Sequence, residues 1–313
     1  MNKIAFLFPG QGSQYVGMGR DIVSEYQEAR LVFEEADEVL QTDLSKLCFE
    51  GPEEILKLTE NTQPAILATS IACLAVFRNK APQASLVAGL SLGEYSALVA
   101  AGALGIEDAI MLVKKRGVLM QEAVPAGKGA MAAIMGLSRE AVMDICNDAK
   151  AYGIVEPANY NCPGQVVISG ERKAVEIAVE GARKAGARRV IDLPVSAPFH
   201  SSMLKPAETK MEILLEETRF AEFQIPLISN VTADYISDRR FIKKTLVKQI
   251  SQPVMWEDSL KRMAGDGVNT FIEIGPGKAL SGFVKKTIPG AVVLNICDIP
   301  SLHRTLAYLE EAV

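Results

Sequence analysis

The stretch SLVAGLSLGEYSALVAAGAL, residues 85–104, decides the fold class, because it joins an apolar run to a helical pattern through one short turn. SLVAGL is typical of a buried strand, and GEYSALVAAGAL is typical of a helix. Between them, GLSLG at 89–93 matches the motif G-x-S-x-G. In such a turn the serine takes strained backbone angles, and small residues two positions away let the chain bend sharply. The stretch therefore predicts an α/β sheet with a nucleophilic Ser91 above it.

Ser91 also has a plainer interpretation, in which it caps the following helix and the glycines only shape a loop. We favour the nucleophile because the strand and the helix stand in the order that the motif requires. The backbone amide of Leu92 would then lie at a helix N-terminus and point to the same space. An amide in that position can donate a hydrogen bond to a developing oxyanion.

Strands and helices alternate on both sides of a segment with a different pattern. Residues 127–196 follow the order β-α-β-β-α-β, which is typical of a ferredoxin-like α+β domain. The flanking alternation indicates a mostly parallel sheet covered by helices. We therefore predict a large α/β-hydrolase-like domain at 1–126 and 197–313, with the smaller ferredoxin-like domain inserted at 127–196. In the large domain we expect strands at PLISNV and TFIEIG and then a C-terminal helix.

Composition limits the possible functions. The chain has 313 residues and a formal net charge of -5, which argues against a general nucleic-acid binder. Two histidines cannot form a His-rich metal site, and five scattered cysteines without a CxxC pair indicate reduced thiols. No window is long and apolar enough for a membrane span or a signal peptide. We expect a cytoplasmic monomer without a metal ion, a nucleic-acid partner or a membrane partner.

A reactive serine needs a base, and the two histidines leave a narrow choice. His303 lies in a terminal amphipathic helix, where a solvated or packed histidine is ordinary. His200 lies in VSAPFHSSM, where the chain re-enters the large domain, and a residue there can reach a cleft between domains. We favour His200 as the base, although it could also be a structural histidine near a helix start. No obvious carboxylate stands behind it, so a backbone carbonyl could orient the imidazole.

Arg116 falls on the apolar face of the helix predicted at 105–123. A guanidinium on a buried face is unfavourable unless it is paired. One interpretation is an arginine that extends to the surface or pairs with an internal carboxylate. The other is a bidentate clamp for the carboxylate of a substrate.

Six motifs are spread over nearly the whole chain: FPGQGSQYVGMG at 8–19, GLSLGEYSALVAAGAL at 89–104, the arginine of KKRGVLMQEA, VSAPFHS at 195–201, QISQPVMW at 249–256 and IEIGPGKAL at 272–280. In their residues and their order they resemble the malonyl-CoA:acyl carrier protein transacylase family. The resemblance implies that Ser91 is the acylated nucleophile and His200 its base. Gln11 would join Leu92 in donating a backbone amide to the oxyanion, and the backbone carbonyl of Gln249 would orient His200.

The resemblance also implies substrate-binding roles. Arg116 would bind the free malonyl carboxylate, and Phe199 resembles the malonyl-preferring form of its position in the pocket. Two positions depart from the family's pattern, since Leu90 stands where histidine is common and Met255 where arginine is frequent. Both departures could alter the rate or the polarity of the pocket.

The implied reaction transfers malonyl from malonyl-CoA to the phosphopantetheine thiol of acyl carrier protein, without a cofactor, in fatty acid synthesis. Alternatives are a serine thioesterase, a polyketide-type acyltransferase on the same core and a non-catalytic scaffold that docks carrier proteins. An acidic carrier protein would need a local basic patch on this acidic chain. Two clusters are candidates, although ordinary solvated faces explain them equally well: Lys184, Arg188 and Arg189; Lys243, Lys244 and Lys248.

Overall fold

The computed structural model describes residues 3–125, 127–195 and 197–311, which form two β-sheets and their covering helices. The strands are β1 Lys3–Phe8, β2 Leu86–Gly89, β3 Gly129–Met135, β4 Val155–Cys162, β5 Gln165–Glu171, β6 Arg189–Asp192, β7 Val268–Ile274 and β8 Val292–Ile296. The α-helices are α1 Arg20–Glu25, α2 Gln27–Leu40, α3 Leu44–Glu50, α4 Glu53–Leu56, α5 Thr59–Arg78, α6 Gly93–Ala100, α7 Ile106–Glu122, α8 Arg139–Ala149, α9 Arg172–Lys184, α10 Lys205–Glu217, α11 Ile242–Gln249, α12 Trp256–Gly265, α13 Ala279–Thr287 and α14 Ile299–Glu311. Short 3₁₀ turns occupy Lys150–Tyr152, Ser202–Leu204 and Arg239–Phe241.

The larger sheet is parallel and has the order β2-β1-β7-β8. Successive residues of β1 enter different cores: Phe6 packs on Phe77 of α5, with ring centroids 5.5 Å apart, whereas Leu7 lies in the core that contains Trp256 of α12. Both faces of the sheet are therefore covered, as continuous apolar strands require. The carboxyl end of β2 leads directly into residues 89–93, where the predicted nucleophile lies.

The smaller sheet is antiparallel and has the order β4-β5-β3-β6. With α8 and α9 packed against it, the element order is β-α-β-β-α-β, as predicted for a ferredoxin-like fold. The side chain of Ser138 accepts a hydrogen bond from the amide of Ala141 and so caps α8. The α/β fold with a second, smaller α+β unit is therefore confirmed. The domain bounds stay a prediction, and residues 126 and 196 at these bounds lie outside the described residues.

Two local predictions differ from the structure. PLISNV contributes only isolated bridges, Leu227 with Val87 and Ile228 with Tyr235, because the chain turns back after one pairing position. The strand β8, which forms the edge of the parallel sheet beside β7, was not predicted. Its sequence VVLNI is apolar at four of five positions, but so short an apolar run does not by itself distinguish a strand from a helix.

The two units meet along a hydrogen-bonded seam. The amide of Tyr160 in β4 donates to the carbonyl of Val254, and the amide of Val254 donates to the carbonyl of Ala158. Arg139 of α8 lies 2.8 Å from a carboxylate oxygen of Asp258 in α12. These contacts hold the antiparallel sheet over the end of the parallel sheet. Within the described residues, no helix combines the length and the apolar character that crossing a membrane requires.

Candidate active site

The turn around Ser91 brings backbone segments so close together that only glycine fits at two positions. Ser91 has φ 53°, in the left-handed region. A Cβ on Gly89 would lie 1.8 Å from the carbonyl oxygen of Gly93, and a Cβ on Gly93 would lie 2.1 Å from the carbonyl oxygen of Phe8. Both distances are shorter than any van der Waals contact, so both glycines of the motif are required. Ser91 does not cap α6, since that helix has no side-chain cap and the Ser91 hydroxyl bonds elsewhere.

Asn230 fixes the same turn from a distant part of the chain. Its side-chain oxygen accepts from the Ser91 amide at 2.5 Å, and its side-chain nitrogen donates to the Gly89 carbonyl at 2.6 Å. Asn230 is buried, with 1% of its surface exposed. Because one amide satisfies both a donor and an acceptor of the turn, it stabilises the strained conformation of Ser91.

His200 lies beside the serine in the same kind of backbone conformation. Its φ is 58°, and its Nε2 lies 2.8 Å from Ser91 Oγ. Its Nδ1 lies 2.8 Å from the carbonyl oxygen of Gln249. A carbonyl only accepts hydrogen bonds, so Nδ1 carries the proton and Nε2 is free to accept from the serine hydroxyl. The predicted pairing of Ser91, His200 and the Gln249 carbonyl is thus present as geometry.

The imidazole of His200 is held in its neutral form. Burial, together with the positive charge of Arg116, lowers the pKa of His200 to about 3. Removing the imidazole from water disfavours its cation, and a nearby guanidinium disfavours it further. His200 is therefore unprotonated at neutral pH, the state that a general base requires.

Arg116 of α7 points into the site rather than to the surface. One terminal nitrogen donates to Gln63 Oε1 at 2.9 Å, and the other donates to Ser91 Oγ at 3.1 Å and to Gln249 Oε1 at 2.9 Å. Its side chain is 1% exposed, and burial lowers its pKa. Within the part of the chain that the structure describes, no carboxylate lies within ion-pair distance of Arg116. The guanidinium thus has neutral partners only and can still take a carboxylate.

Gln249 contributes its side chain as well as its carbonyl. The side-chain nitrogen donates to the Ser91 carbonyl at 2.9 Å and to Glu94 Oε2 at 2.7 Å. Glu94 is fully buried, and burial raises its pKa to about 7, although hydrogen bonds from Gln249 and Asn230 and the charge of Arg116 oppose the rise. These contacts join Glu94 to Arg116 through one amide.

The two amides predicted for an oxyanion lie on adjoining segments. A Cβ on Gly10 would lie 2.4 Å from the Leu90 carbonyl oxygen, so the first glycine-rich loop touches the serine turn. The amide of Leu92 lies at the N-terminus of α6, and Gln11 follows Gly10. Neither amide makes a hydrogen bond within the described chain. Two unpaired donors beside a nucleophile are what an oxyanion requires. The oxyanion roles of Gln11 and Leu92 remain predictions.

A cleft of about 250 Å³ opens over these side chains, between the two units. The larger unit lines it with Gln11, Leu90, Ser91, Arg116, Phe199 and His200, and the smaller unit lines it with Met131, Asn159, Asn161 and Gln165. Phe199 is therefore at the predicted pocket position. Met255 instead packs against the core of the smaller unit, so its departure from the family's pattern does not change the lining.

Other predicted features lie away from this cleft or have no counterpart in it. His303 is exposed on α14, 3.4 Å from the hydroxyl of Tyr26. The five cysteines are buried free thiols. In residues 3–125, 127–195 and 197–311, no group of three or more His, Cys, Asp or Glu side chains is placed to hold a metal ion.

Three polar residues of the hydrogen-bond network around Ser91 and Arg116 were not predicted from the sequence: Gln63, Glu94 and Asn230. Glu94 follows the serine motif directly, and its place in the apolar helix α6 was a usable signal, as it was for Arg116. Gln63 follows the polar run TENT and Asn230 lies in ISNVTADY, and nothing in either segment marks a site residue.

Comparisons with known proteins show the family of the chain. The family model for the acyl transferase domain matches residues 5–307. A malonyl CoA-acyl carrier protein transacylase of Bacillus subtilis is 49% identical over 312 residues, which cover 99% of this chain and 98% of that protein. The crystal structure of a malonyl CoA-acyl carrier protein transacylase from Clostridium perfringens has a TM-score of 0.95 and 47% identity, and it covers 99% of this chain and 98% of its own.

A further solved structure contains a type II PKS acyl-carrier protein in complex with its malonyl-transacylase. It has a TM-score of 0.96 and 42% identity, and the match covers 98% of this chain and 100% of that one. The fold and the serine site define an acyl transferase. The chain belongs to the acyl transferase family and, within it, to the malonyl CoA-acyl carrier protein transacylases.

Proposed function

We propose that this protein transfers the malonyl group of malonyl-CoA to the phosphopantetheine thiol of acyl carrier protein, through a malonyl ester on Ser91. The observation that carries the proposal is the 2.8 Å contact between Ser91 Oγ and a buried, neutral His200. The relatives that match over nearly the whole chain bear the name of this activity.

In the first half-reaction, Ser91 Oγ attacks the thioester carbonyl while its proton moves to Nε2 of His200. The carbonyl oxygen becomes an oxyanion, for which the amides of Gln11 and Leu92 are the available donors. Losing one such donor typically costs about 3 kcal/mol of barrier. The carbon–sulfur bond then breaks, and the thiolate of coenzyme A leaves with the proton from His200.

In the second half-reaction, the phosphopantetheine thiol takes the place of coenzyme A. His200 accepts its proton, the thiolate attacks the serine ester, and the collapsing intermediate returns the proton to Ser91 Oγ. The Gln249 carbonyl holds Nδ1–H throughout, so the imidazole moves a proton through Nε2 only. The second half-reaction is the reverse of the first, with the phosphopantetheine thiol in place of the thiol of coenzyme A.

Arg116 supports the assignment of malonyl as the acyl group. Its second terminal nitrogen already lies 3.1 Å from Ser91 Oγ, so an acyl group on that oxygen lies within reach of the guanidinium. A malonyl carboxylate can form charge-assisted hydrogen bonds there. An acetyl group would leave the buried guanidinium without an anionic partner, so transfer of acetyl is disfavoured.

The test is to trap the acyl-enzyme. Incubation with malonyl-CoA alone should add a mass of about 86 Da, the malonyl increment, to the peptide with Ser91. Ser91→Ala should abolish the adduct. Adding the carrier thiol should release the malonyl group onto that thiol. Release to water at the same rate without the thiol would favour a thioesterase, and absence of any adduct would favour a scaffold and reject the proposal.

The carrier protein must approach the cleft, and two basic clusters are candidates for its docking surface. Lys244 and Lys248 are exposed on α11, which ends at Gln249, whereas Lys243 is half-buried beside Glu216. The other cluster, exposed on the smaller unit, comprises Lys184, Arg188 and Arg189. We propose the α11 cluster, because its helix leads directly into the site.

Four expectations from the sequence stay predictions: a monomeric state, a cytoplasmic location, the absence of a cofactor and a role in fatty acid rather than polyketide synthesis.

A further inference from the structure

Glu94 is a buried carboxyl group next to the reactive serine, and the acyl transfer steps do not use it. It is fully buried on the first turn of α6. Its Oε2 accepts from the backbone amide of Asn230 at 3.1 Å and from Gln249 Nε2 at 2.7 Å. Its Oε1 has no hydrogen-bond partner within the described chain. Burying a carboxyl group costs free energy, so we expect its acceptor atoms to have a role.

That role concerns the side-chain amide of Gln249, whose two ends have different partners. Nε2 donates to Glu94 and to the Ser91 carbonyl, and Oε1 accepts from Arg116 at 2.9 Å. If the amide turned over, its NH₂ group would face the NH₂ group of Arg116, and two donors would oppose each other. Glu94 and the Ser91 carbonyl are both acceptors, so they fix the amide in the orientation that Arg116 requires.

We propose that Glu94 is a positioning residue that acts through the Gln249 side chain to aim Arg116 at the carboxylate of the acyl group. The inference rests on the proposed malonyl transfer and adds a residue that determines its selectivity. Without the acceptor at position 94, the Gln249 amide loses one of the two acceptors that fix its orientation, and the Ser91 carbonyl alone holds Nε2. Among the described residues, Arg116 would then have firm hydrogen bonds only to Gln63 and Ser91, besides its contact with the Tyr95 ring, and its aim toward a carboxylate would become less defined.

The proposed role depends on the hydrogen-bond acceptor and not on the charge of Glu94. The titratable groups that influence Glu94 and its neighbours are Arg116, Tyr95 and His200. Burial raises the pKa of Glu94 to about 7, so both protonation states are accessible near neutral pH. In either state Oε2 can accept both bonds, since the proton can lie on the unpartnered Oε1. A glutamine at this position would offer the same acceptor.

The first experiment compares Glu94→Gln with Glu94→Met, which keeps a similar volume without a polar group. The measurement is the ratio of kcat/KM for malonyl-CoA to that for acetyl-CoA, with one carrier protein as acceptor. Glu94→Met should lower this ratio about tenfold, the effect of leaving the buried Gln249 amide without one of its acceptors. Glu94→Gln should retain the wild-type ratio within about twofold. An equal fall in both variants would overturn the proposal.

The second experiment does not depend on how well Glu94→Met folds. Gln249→Met keeps the backbone carbonyl that bonds His200 but removes the amide, so it should lower the same ratio to a similar extent. The double variant should lower it no further, because the two residues act in one chain of contacts. Additive losses in the double variant, or a ratio that Gln249→Met leaves unchanged, would contradict the proposed chain.

The outcomes separate this inference from the proposed function. If the wild-type protein forms no malonyl adduct on Ser91, the proposed function fails, and this inference fails with it. If the wild type transfers malonyl but Glu94→Met and Gln249→Met keep its selectivity, only this inference fails.

Discussion

Ser91 and His200 stand 109 positions apart in the chain, yet Ser91 Oγ and His200 Nε2 lie 2.8 Å apart. Both residues have a positive φ, 53° and 58°. A residue with a Cβ in that region costs about 1–3 kcal/mol, so the surrounding structure must hold it there. Asn230 does so for Ser91, and the Gln249 carbonyl fixes the ring of His200. Strain at both partners of one proton transfer is typical of a site organised for chemistry.

Arg116→Ala should lower malonyl transfer far more than acetyl transfer. The expected loss in kcat/KM for malonyl-CoA is on the order of 100-fold, since one hydrogen bond to a charged group contributes about 1.5–3 kcal/mol. Lys114→Ala, on the same helix but paired with Asn61, is the matched control and should keep the ratio. Equal losses for the two acyl groups would reject the clamp.

The rate of Ser91 acylation should not fall with the ordinary titration of histidine. Burial lowers the pKa of His200 from 6.5 to about 3, so the neutral base is lost only as the pH drops toward that value. Between about pH 5 and pH 8 the single-turnover rate with acetyl-CoA should stay level. Rapid-quench measurement of the acyl-enzyme at several pH values tests this. A decrease centred near pH 6.5 would contradict it.

Gly89→Ala should destabilise the fold strongly, because the added Cβ would lie 1.8 Å from the Gly93 carbonyl oxygen. We expect the free energy of unfolding to fall by about 3 kcal/mol or more, as for severe overpacking. Gly105→Ala is the matched control, since a Cβ there meets no atom within 4 Å and φ is -69°. Its effect should stay within about 1 kcal/mol. Chemical denaturation measures both, and similar values for the two variants would refute the steric explanation.

Asn230→Asp should slow the acylation of Ser91 by malonyl and acetyl groups to the same extent. An aspartate can still accept from the Ser91 amide, but it cannot donate to the Gly89 carbonyl. One unsatisfied buried group costs about 1–3 kcal/mol, so a roughly tenfold loss is expected. Single-turnover rates with both acyl-CoA substrates test this. A selective loss of malonyl transfer would show that Asn230 acts on Arg116 rather than on the serine turn.

Charge reversal on α11 should weaken the binding of carrier protein but not the binding of malonyl-CoA. Lys244→Glu with Lys248→Glu should raise the KM for carrier protein and leave the KM for malonyl-CoA unchanged, because rim charges steer association. The comparison variant is Arg188→Glu with Arg189→Glu on the smaller unit. If only this second variant raises the KM for carrier protein, docking uses the smaller unit. A change in both constants would argue against docking in either place.

Much of the candidate site was visible in the sequence because its signals are local. Gly89 and Gly93 flank Ser91 where the chain must bend, and Arg116 interrupts an apolar helical face. With two histidines in the chain, His200 followed by elimination and position. Asn230 gave no such signal, because its value lies in two hydrogen bonds to residues about 140 positions away. The strand β8 was missed for a different reason, because its five residues form a short apolar run that does not by itself distinguish a strand from a helix.

The sequence by itself determined the fold class, the β-α-β-β-α-β order of the smaller unit and the serine turn, because these follow from periodicity and from the backbone freedom of glycine. Only the tertiary structure decided that Arg116 has no carboxylate partner among the described residues, that Gln249 uses its side chain as well as its carbonyl, and that Glu94 joins the same network. The physical reason is that burial and hydrogen-bond pairing depend on which distant segments the packed core brings together.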